Sequence, residues 1–453
     1  MAEQIDEHKL TAISPVDGRY GRLTAPLSPF FSEFALIKKR VEVELKFLLY
    51  LSESRLIRGF TQKEKAYLQK LISDFSLRDG LMVKKIENTT HHDVKAVEYF
   101  LREKFQKSSF KGTIPYLHIG LTSEDINNIC WRCLAQEALI KVLLPELLSI
   151  HKNLRTFART YRNLAMLGRT HGQAAIPTTM GKEVAVFSQR LEAQITSLKT
   201  LKFSAKFSGA VGGWNALCLV FPSVNLPAFS RRFVKSFGLE FHVLTTQIAP
   251  NDDIVELLQT LERINLVLIN LNQDLWRYVS DGWLIQKSKA GQVGSSTMPQ
   301  KVNPIDFENS EGNLFFANGI ATTIVSKIAI SRLQRDLSGS TVLRNLGVAF
   351  AHSLVGYLSL LKGLDNISPD KEKIVGELNS DWRILAEALQ VILRKEGDTK
   401  AFEKVAALTK KGIWKQEDWR EVVESFRLTA KSKNLLLKLR PEGYIGLSGK
   451  IVK

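Results

Sequence analysis

The chain has 453 residues, too many for one compact core at ~100–200 residues per domain, so about three domains are expected and a hormone-sized or single-module protein is excluded. Hydrophobic residues make up 44% and charged residues 24%, which is near the globular average and excludes wholesale disorder. Sixty-three Lys and Arg against 46 Asp and Glu leave +17, which calls for acidic partners: nucleic acid, an anionic membrane or a polyanionic small substrate.

Met1–Leu10 holds five charged or His side chains and no apolar core, so no secretory leader is expected. Cys130, Cys133 and Cys218 cannot form an even disulfide framework, which points to a reducing cytoplasm. No run approaches the ~18 apolar residues of a membrane span. Pro15–Tyr20 places Arg19 and Tyr20 after a turn, where an arginine fork suits phosphate or carboxylate. Thr89–Asp93 sets His91 and His92 beside Asp93, ahead of a helix over Val94–Phe100. That group fits zinc, a substrate contact or helix capping; no further ligands follow at metal spacing, so no metal is expected.

Lys111–Gly120 carries a Pro/Gly break, after which Thr122 reads as an N-cap with an acid, Asp125, three residues on. The free N–H groups at such a helix start also suit an anion. A helix is expected from Ser123 to Tyr161, interrupted at Pro145. Cys130 and Cys133 fall on it as two buried thiols sooner than as a redox pair. Arg169-Thr-His-Gly-Gln173 is a polar, Gly-flanked turn before a helix over Thr178–Ser204. His171 there suits proton transfer, although capping of a helix end accounts for the same residues. Ile254, Leu257, Leu258, Leu261, Ile264, Leu268, Leu271 and Leu275 recur at steps of three and four within Asn251–Asp281. Some thirty helical residues reach about 45 Å, so this rod needs long neighbours, for which Leu314–Leu333 and Asn345–Leu364 qualify.

Ala290–Pro304 cannot continue a helix: it holds two Gly, two Pro and the hydroxyls of Ser295, Ser296 and Thr297 near Lys301. The composition suits a lid closing over an anion, and an ordinary interhelix connection with a solvated Lys301 is the plain alternative. Ser340–Arg344 follows an Arg332, Arg335 and Asp336 cluster, a second candidate anion clamp. A break at Gly363–Pro369 leads to a tail, residues 401–453, with twelve Lys or Arg against six acids; a solvated helix face explains it more simply than a nucleic-acid patch. The chain is thus expected to be all-α, with an N-terminal helical domain (1–112), a central long-helix bundle (113–364) and a C-terminal helical domain (365–453).

Gly294-Ser-Ser-Thr-Met-Pro-Gln-Lys-Val-Asn-Pro304 resembles the signature of the fumarase/aspartase superfamily. Ser14–Tyr20, His92–Phe100, Thr122–Asn127, Arg169–Gln173, Thr245–Ile248 and Ser340–Asn345 resemble, within it, the adenylosuccinate lyase family. The resemblance implies a three-domain helical subunit in a homotetramer with active sites shared between subunits. It also implies fumarate elimination from a small anionic nucleotide, with no cofactor or metal and no nucleic-acid or membrane partner. On these residues it makes Ser295 the general base and His171 the general acid. Glu308 orients His171, and Lys301 and His92 assist. Substrate contacts fall to Arg19, Tyr20, His91, His92, Asp93, Thr122, Ser123, Thr170, Gln247, Ser296, Lys301, Asn303, Asn309, Arg335, Ser340, Thr341 and Arg344. His91 and Val211–Trp214 depart from the family's commoner residues. The rival readings are another superfamily member, argininosuccinate lyase first, and a basic helical nucleic-acid-binding protein.

Overall fold

The structure is a computed structural model that describes residues 7–287, 298, 301–410 and 412–453. Helix α1 (Glu33–Glu53) starts at Ser32, whose hydroxyl accepts the Ala35 N–H at 3.1 Å. Leu36, Val41, Leu45 and Leu48 lie on its buried face, and so do Arg40 and Glu44, at 2% and 1% exposure. Helix α2 (Leu77–Thr90) ends on His91 in the left-handed region, φ 51°, and α3 (Asp93–Gln106) begins two residues later. His92 caps α3, its Nδ1 accepting the Lys95 N–H at 3.2 Å.

Helix α4 (Ser123–Ala138) runs through one π-helical turn, Leu139–Leu143, into α5 (Leu144–Thr160). Pro145 therefore does not break the rod as its chemistry suggested. The wider turn ahead of it makes room for the ring and asks nothing of the missing N–H. Strands β1 (Ala165–Thr170) and β2 (Gln173–Thr179) form an antiparallel hairpin, and α6 (Met180–Thr200) follows, so Thr178 ends a strand and does not start a helix. Strands β3 (Ser204–Ala205) and β4 (Glu240–Phe241) pair in parallel.

Helix α7 (Asp252–Ser280) is the longest at 29 residues, and all eight residues of its expected apolar stripe are at most 2% exposed. Strand β5 (Leu284–Gln286) pairs with β6 (Ile367–Pro369). Between them come α8 (Ile305–Ile328) and α9 (Leu346–Asp365), and after them α10 (Lys371–Leu378). Mostly helical architecture is as expected. Ser338–Asp365 is long enough for a membrane span and holds an 18-residue window of mean hydropathy 1.3, contrary to expectation, but 72% of that window is buried in the fold, as in a core helix.

The chain forms two compact units: Met1–Leu147, Gln194–Leu266 and Gly312–Leu358 make the first, and Leu148–Ala193, Val267–Glu311 and Ser359–Lys453 the second. In the first, buried ion pairs replace part of the apolar core. Arg132 grips Asp253 through Nε at 2.8 Å and Nη2 at 2.9 Å, and Lys206 meets Asp125 at 2.9 Å with both side chains fully buried. In the second, residues 382–436 carry a core of their own, built around Trp382, Leu389, Trp414 and Trp419.

Candidate active site

In the first unit, a cavity of about 710 Å³ is lined by His91, His92, Asp93, Ser123, Gln247, Arg335, Ser340 and Arg344, among others. All eight were expected to touch substrate. The tight α2–α3 junction turns the first three toward it, and the capped start of α4 brings Ser123. There the Thr122 N–H donates to Asp125 Oδ2 at 2.8 Å, the expected reciprocal cap.

Three arginines give the cavity its charge. Arg40 donates through Nε to Asn127 Oδ1 at 2.9 Å and through Nη2 to Asp93 Oδ2 at 2.6 Å. The same Asp93 oxygen lies 3.3 Å from Arg344 Nη2. Burial alone would raise the Asp93 carboxyl, but Arg40, the Val94 N–H and Arg344 together hold it below the usual carboxylate range. Arg335 reaches Gln247 Oε1 through Nη1 at 3.1 Å and Glu124 Oε1 through Nη2 at 3.1 Å. Asp336 ties the preceding loop together by accepting from the N–H groups of Ser338 (2.9 Å) and Arg332 (3.2 Å) and from Lys327 (3.3 Å). Its hydrogen bond from the Ser338 hydroxyl is the leading reason that its carboxyl sits well below the usual range.

Four expected substrate residues of this unit do not line the cavity. The Thr122 N–H is spent on the cap, Thr341 Oγ1 turns back to the Leu337 carbonyl at 3.4 Å, the Tyr20 carbonyl accepts the Thr24 N–H at 3.0 Å, and Arg19 is exposed. Among the lining residues that were not anticipated are the polar Arg40 and Asn127. Their signal was available: a charged and an amide residue on buried helix faces where periodicity asks for apolar ones. The Val211–Trp214 departure is absorbed locally. Val211 lines the cavity, while Trp214 Nε1 donates to the Phe207 carbonyl and Ser230 Oγ, both at 2.8 Å.

The second unit holds His171, the expected acid. His171 and Gly172 are the two central residues of the β1–β2 turn, with φ of 52° and 73°. Two positive φ values define the type I′ hairpin turn, which favours Gly or Asn; a His there carries on the order of 1 kcal/mol of strain. The ring is exposed and hydrogen-bonds to no other described residue, so the backbone fixes it and both nitrogens stay available. The neighbouring Thr170 pairs with Gln173 across the turn.

Lys301 and Asn303 lie just before α8; the Lys301 N–H bonds to the Met298 carbonyl at 3.1 Å and its side chain is exposed. Glu308 Oε1 accepts Trp276 Nε1–H at 3.0 Å, so within the chain it is paired with Trp276 and not with His171. Asn309 Nδ2 donates to Ser359 Oγ at 2.7 Å, a bond between α8 and α9. Ser295 and Ser296 lie outside the described residues.

Residues 18–319 match the family described as Lyase, and residues 331–445 match Adenylosuccinate lyase C-terminal. An adenylosuccinate lyase of Legionella pneumophila (strain Corby) is 42% identical over 448 residues, 98% of each chain. That of Escherichia coli (strain K12) is 41% identical over 441 residues, 96% of this chain and 97% of the relative. One from Dictyostelium discoideum is 42% identical over 456 residues, 98% of each chain. Among solved structures, fumarate lyase from Mesorhizobium sp. BNC1 superposes with a TM-score of 0.76 at 19% identity, covering 94% of this chain and 96% of that one, a likeness of fold.

Proposed function

Because the chain belongs to the adenylosuccinate lyase family, we propose that His171 and Ser295 divide the two proton transfers of fumarate release. The enzyme removes fumarate from adenylosuccinate to leave AMP, and from succinylaminoimidazole-carboxamide ribotide to leave aminoimidazole-carboxamide ribotide. Its substrate is a small anionic nucleotide, which accounts for the +17 charge.

Elimination removes a proton from the carbon β to the departing nitrogen. The C–N electron pair leaves with that nitrogen, a C=C bond forms, and the nitrogen takes up a proton. Ser295 is the base and His171 the acid. A serine hydroxyl is a poor base near neutral pH, so it needs a dry site and a nearby cation; Lys301 supplies the cation and also steadies the enolate-like carboxylate. The scheme requires neither metal nor organic cofactor. Arg344 and Ser340 take the phosphate, Ser123 a carboxylate, and Gln247 and Arg335 the base region. His92 holds the polar end of the substrate, and Thr170, Ser296 and Asn303 complete the contacts.

The observation that carries this reading is His171 itself, held by backbone at a hairpin tip with both ring nitrogens open. Glu308 orients that ring in a homotetramer whose active sites are shared between copies. Supporting the assembly, Leu266, Phe315 and Phe316 are each more than half exposed (53%, 53% and 55%), large apolar surface on long helices that a second copy would cover. The free buried thiols of Cys130 and Cys133 suit a reducing cytoplasm.

The test follows adenylosuccinate absorbance and fumarate release. Ser295→Ala and His171→Ala each abolish turnover while the tetramer stays intact. Mixing the two dead variants returns about a quarter of parental activity, since random reassembly gives a quarter of sites both functional groups. Near-normal turnover by either single variant removes its assigned role, and a mixture that stays dead removes the sharing.

A further inference from the structure

The two strands that carry His171 need a reason to hold their tip still, because a two-stranded hairpin alone is marginally stable. The second unit supplies one behind the turn. Between Leu167 and Arg169 the pairing slips by one residue: Leu167 faces Pro177 but Arg169 faces Ala174, so Ala175 and Ile176 of β2 together oppose Gly168 of β1. Gly168 sits at the slip, where a Cβ would come within 2.6 Å of the Ile176 carbonyl oxygen. Such a bulge increases the local twist of the pair. Arg169 follows directly on β1, two residues from His171.

Arg169 Nη2 forms an ion pair with Glu377 Oε1, and its guanidinium lies over the Trp283 ring with 5.6 Å between Cζ and the ring centroid. Glu377 Oε2 in turn accepts the Trp283 Nε1–H at 2.7 Å. The three side chains close a triangle in which every pair is in contact. Each corner belongs to a different piece of the chain: Arg169 to the hairpin, Glu377 to α10, and Trp283 to the residue before β5. The last two are themselves tied, since Asp370 N–H donates to the Trp283 carbonyl at 2.9 Å and Asp370 Oδ1 caps α10 through the Lys373 N–H at 3.0 Å.

Helix stability does not explain a carboxylate at Glu377. It sits in the last turn of α10, where the helix dipole disfavours negative charge. The Trp283 and Arg169 contacts are what this carboxylate gains by being there, and both bear on the hairpin.

We propose that Glu377 is a positioning residue for fumarate elimination: its carboxylate, braced by Trp283, fixes Arg169 and through it the hairpin turn that presents His171 to the departing nitrogen. The inference rests on the reading of His171 as the acid. It assigns Glu377 no contact with substrate.

The experiment compares Glu377→Gln, Glu377→Asp, Trp283→Phe and His171→Ala in the intact enzyme, reading kcat, KM and melting temperature together. In Glu377→Gln one oxygen remains for the Trp283 N–H while an amide NH2 meets the guanidinium, donor against donor. The expected result is a kcat at least about tenfold lower at a KM within about twofold of the parent, with the melting temperature nearly unchanged. Trp283→Phe keeps the ring under Arg169 but removes the N–H that fixes the carboxylate, and loses about threefold in kcat; Glu377→Asp falls between parent and Gln. Parental kcat in Glu377→Gln, or a loss that tracks a lowered melting temperature in all three, overturns the positioning role. Substantial turnover by His171→Ala would instead sink the acid assignment on which it rests.

Discussion

Replacing Lys206 by Met removes the cation that faces Asp125 at 2.9 Å inside the first unit, where neither side chain meets solvent. Removing one member of a buried pair costs about 3–5 kcal/mol, most of it the penalty of the stranded charge. Here the carboxylate is not stranded outright, because the N–H groups of Thr122 and Ser208, each at 2.8 Å, and of Gly209, at 3.1 Å, still point at it. Those donors place the loss at the lower end, about 3 kcal/mol. Asp125→Asn should cost more, about 5 kcal/mol, since the buried ammonium loses its counter-charge, keeping neutral acceptors such as the Gly209 carbonyl at 2.6 Å, and an amide NH2 must face N–H donors. The double replacement should cost less than the sum, because neither charge is left behind. Denaturant unfolding of the four proteins measures this cycle. The functional consequence is a raised KM, because Asp125 caps the helix whose first residue, Ser123, lines the cavity. If Lys206→Met unfolds within about 1 kcal/mol of the parent, the pair is not what holds this corner together and the reasoning fails.

Arg344→Ala should leave stability almost unchanged, because its partners Asp93 and Glu33 lie at 3.3 and 3.6 Å and the side chain is 49% exposed. Substrate affinity should fall about 10–100-fold, the worth of a charged hydrogen bond, and the difference from the parent should vanish with a dephosphorylated substrate; an equal loss on both would remove the phosphate contact. His118 Nδ1 lies 2.6 Å from the buried Glu44 carboxylate, and although burial lowers the imidazole pKa, Glu44 first and then Glu98 and Asp125 raise it overall. A pKa raised by folding adds stability that is complete below the unfolded value, ~6.5, and is lost as pH rises through the folded one. The stability deficit of His118→Gln should therefore be largest near pH 6 and shrink toward pH 9 in denaturant titrations, and a deficit that grows with pH would reverse the sign argued here.

What the sequence disclosed, and what it hid, divides by range. The stripe of α7 was legible residue by residue, because a 3.6-residue period over 29 residues is a local property. The hairpin was not. Ala165–Thr170 is buried at its first three residues without alternation, and its turn is His-Gly where Asn-Gly is the strong signal. Pro145 reads as a break until the π turn ahead of it is seen, and nothing in Leu139–Leu143 announces that turn. Eight residues expected to touch substrate were named from separate segments through motif resemblance, yet their meeting in one cavity is a tertiary fact. Arg40 was hidden because a lone cation on an apolar face reads as a flaw in the pattern until Asp93 is seen opposite it.

Arg40 also bears on how Arg344 keeps its charge beside a carboxylate. An unpaired Arg344 would be free to wander, and an Arg344 fully neutralised by its own carboxylate would have no charge left to offer. Asp93 avoids both outcomes by being shared. It sits closer to the buried Arg40, at 2.6 Å, than to Arg344, at 3.3 Å, so its charge is largely answered from behind while its second contact still restrains Arg344. Those three side chains alone sum to one positive charge, and Glu33, 3.6 Å from Arg344, offsets part of it. Arg335 is arranged differently: Glu124 balances it at 3.1 Å, which leaves a neutral pair whose remaining donors suit hydrogen bonding more than charge attraction. The proposed phosphate contact at Arg344 and base-region contact at Arg335 and Gln247 agree with this division of charge.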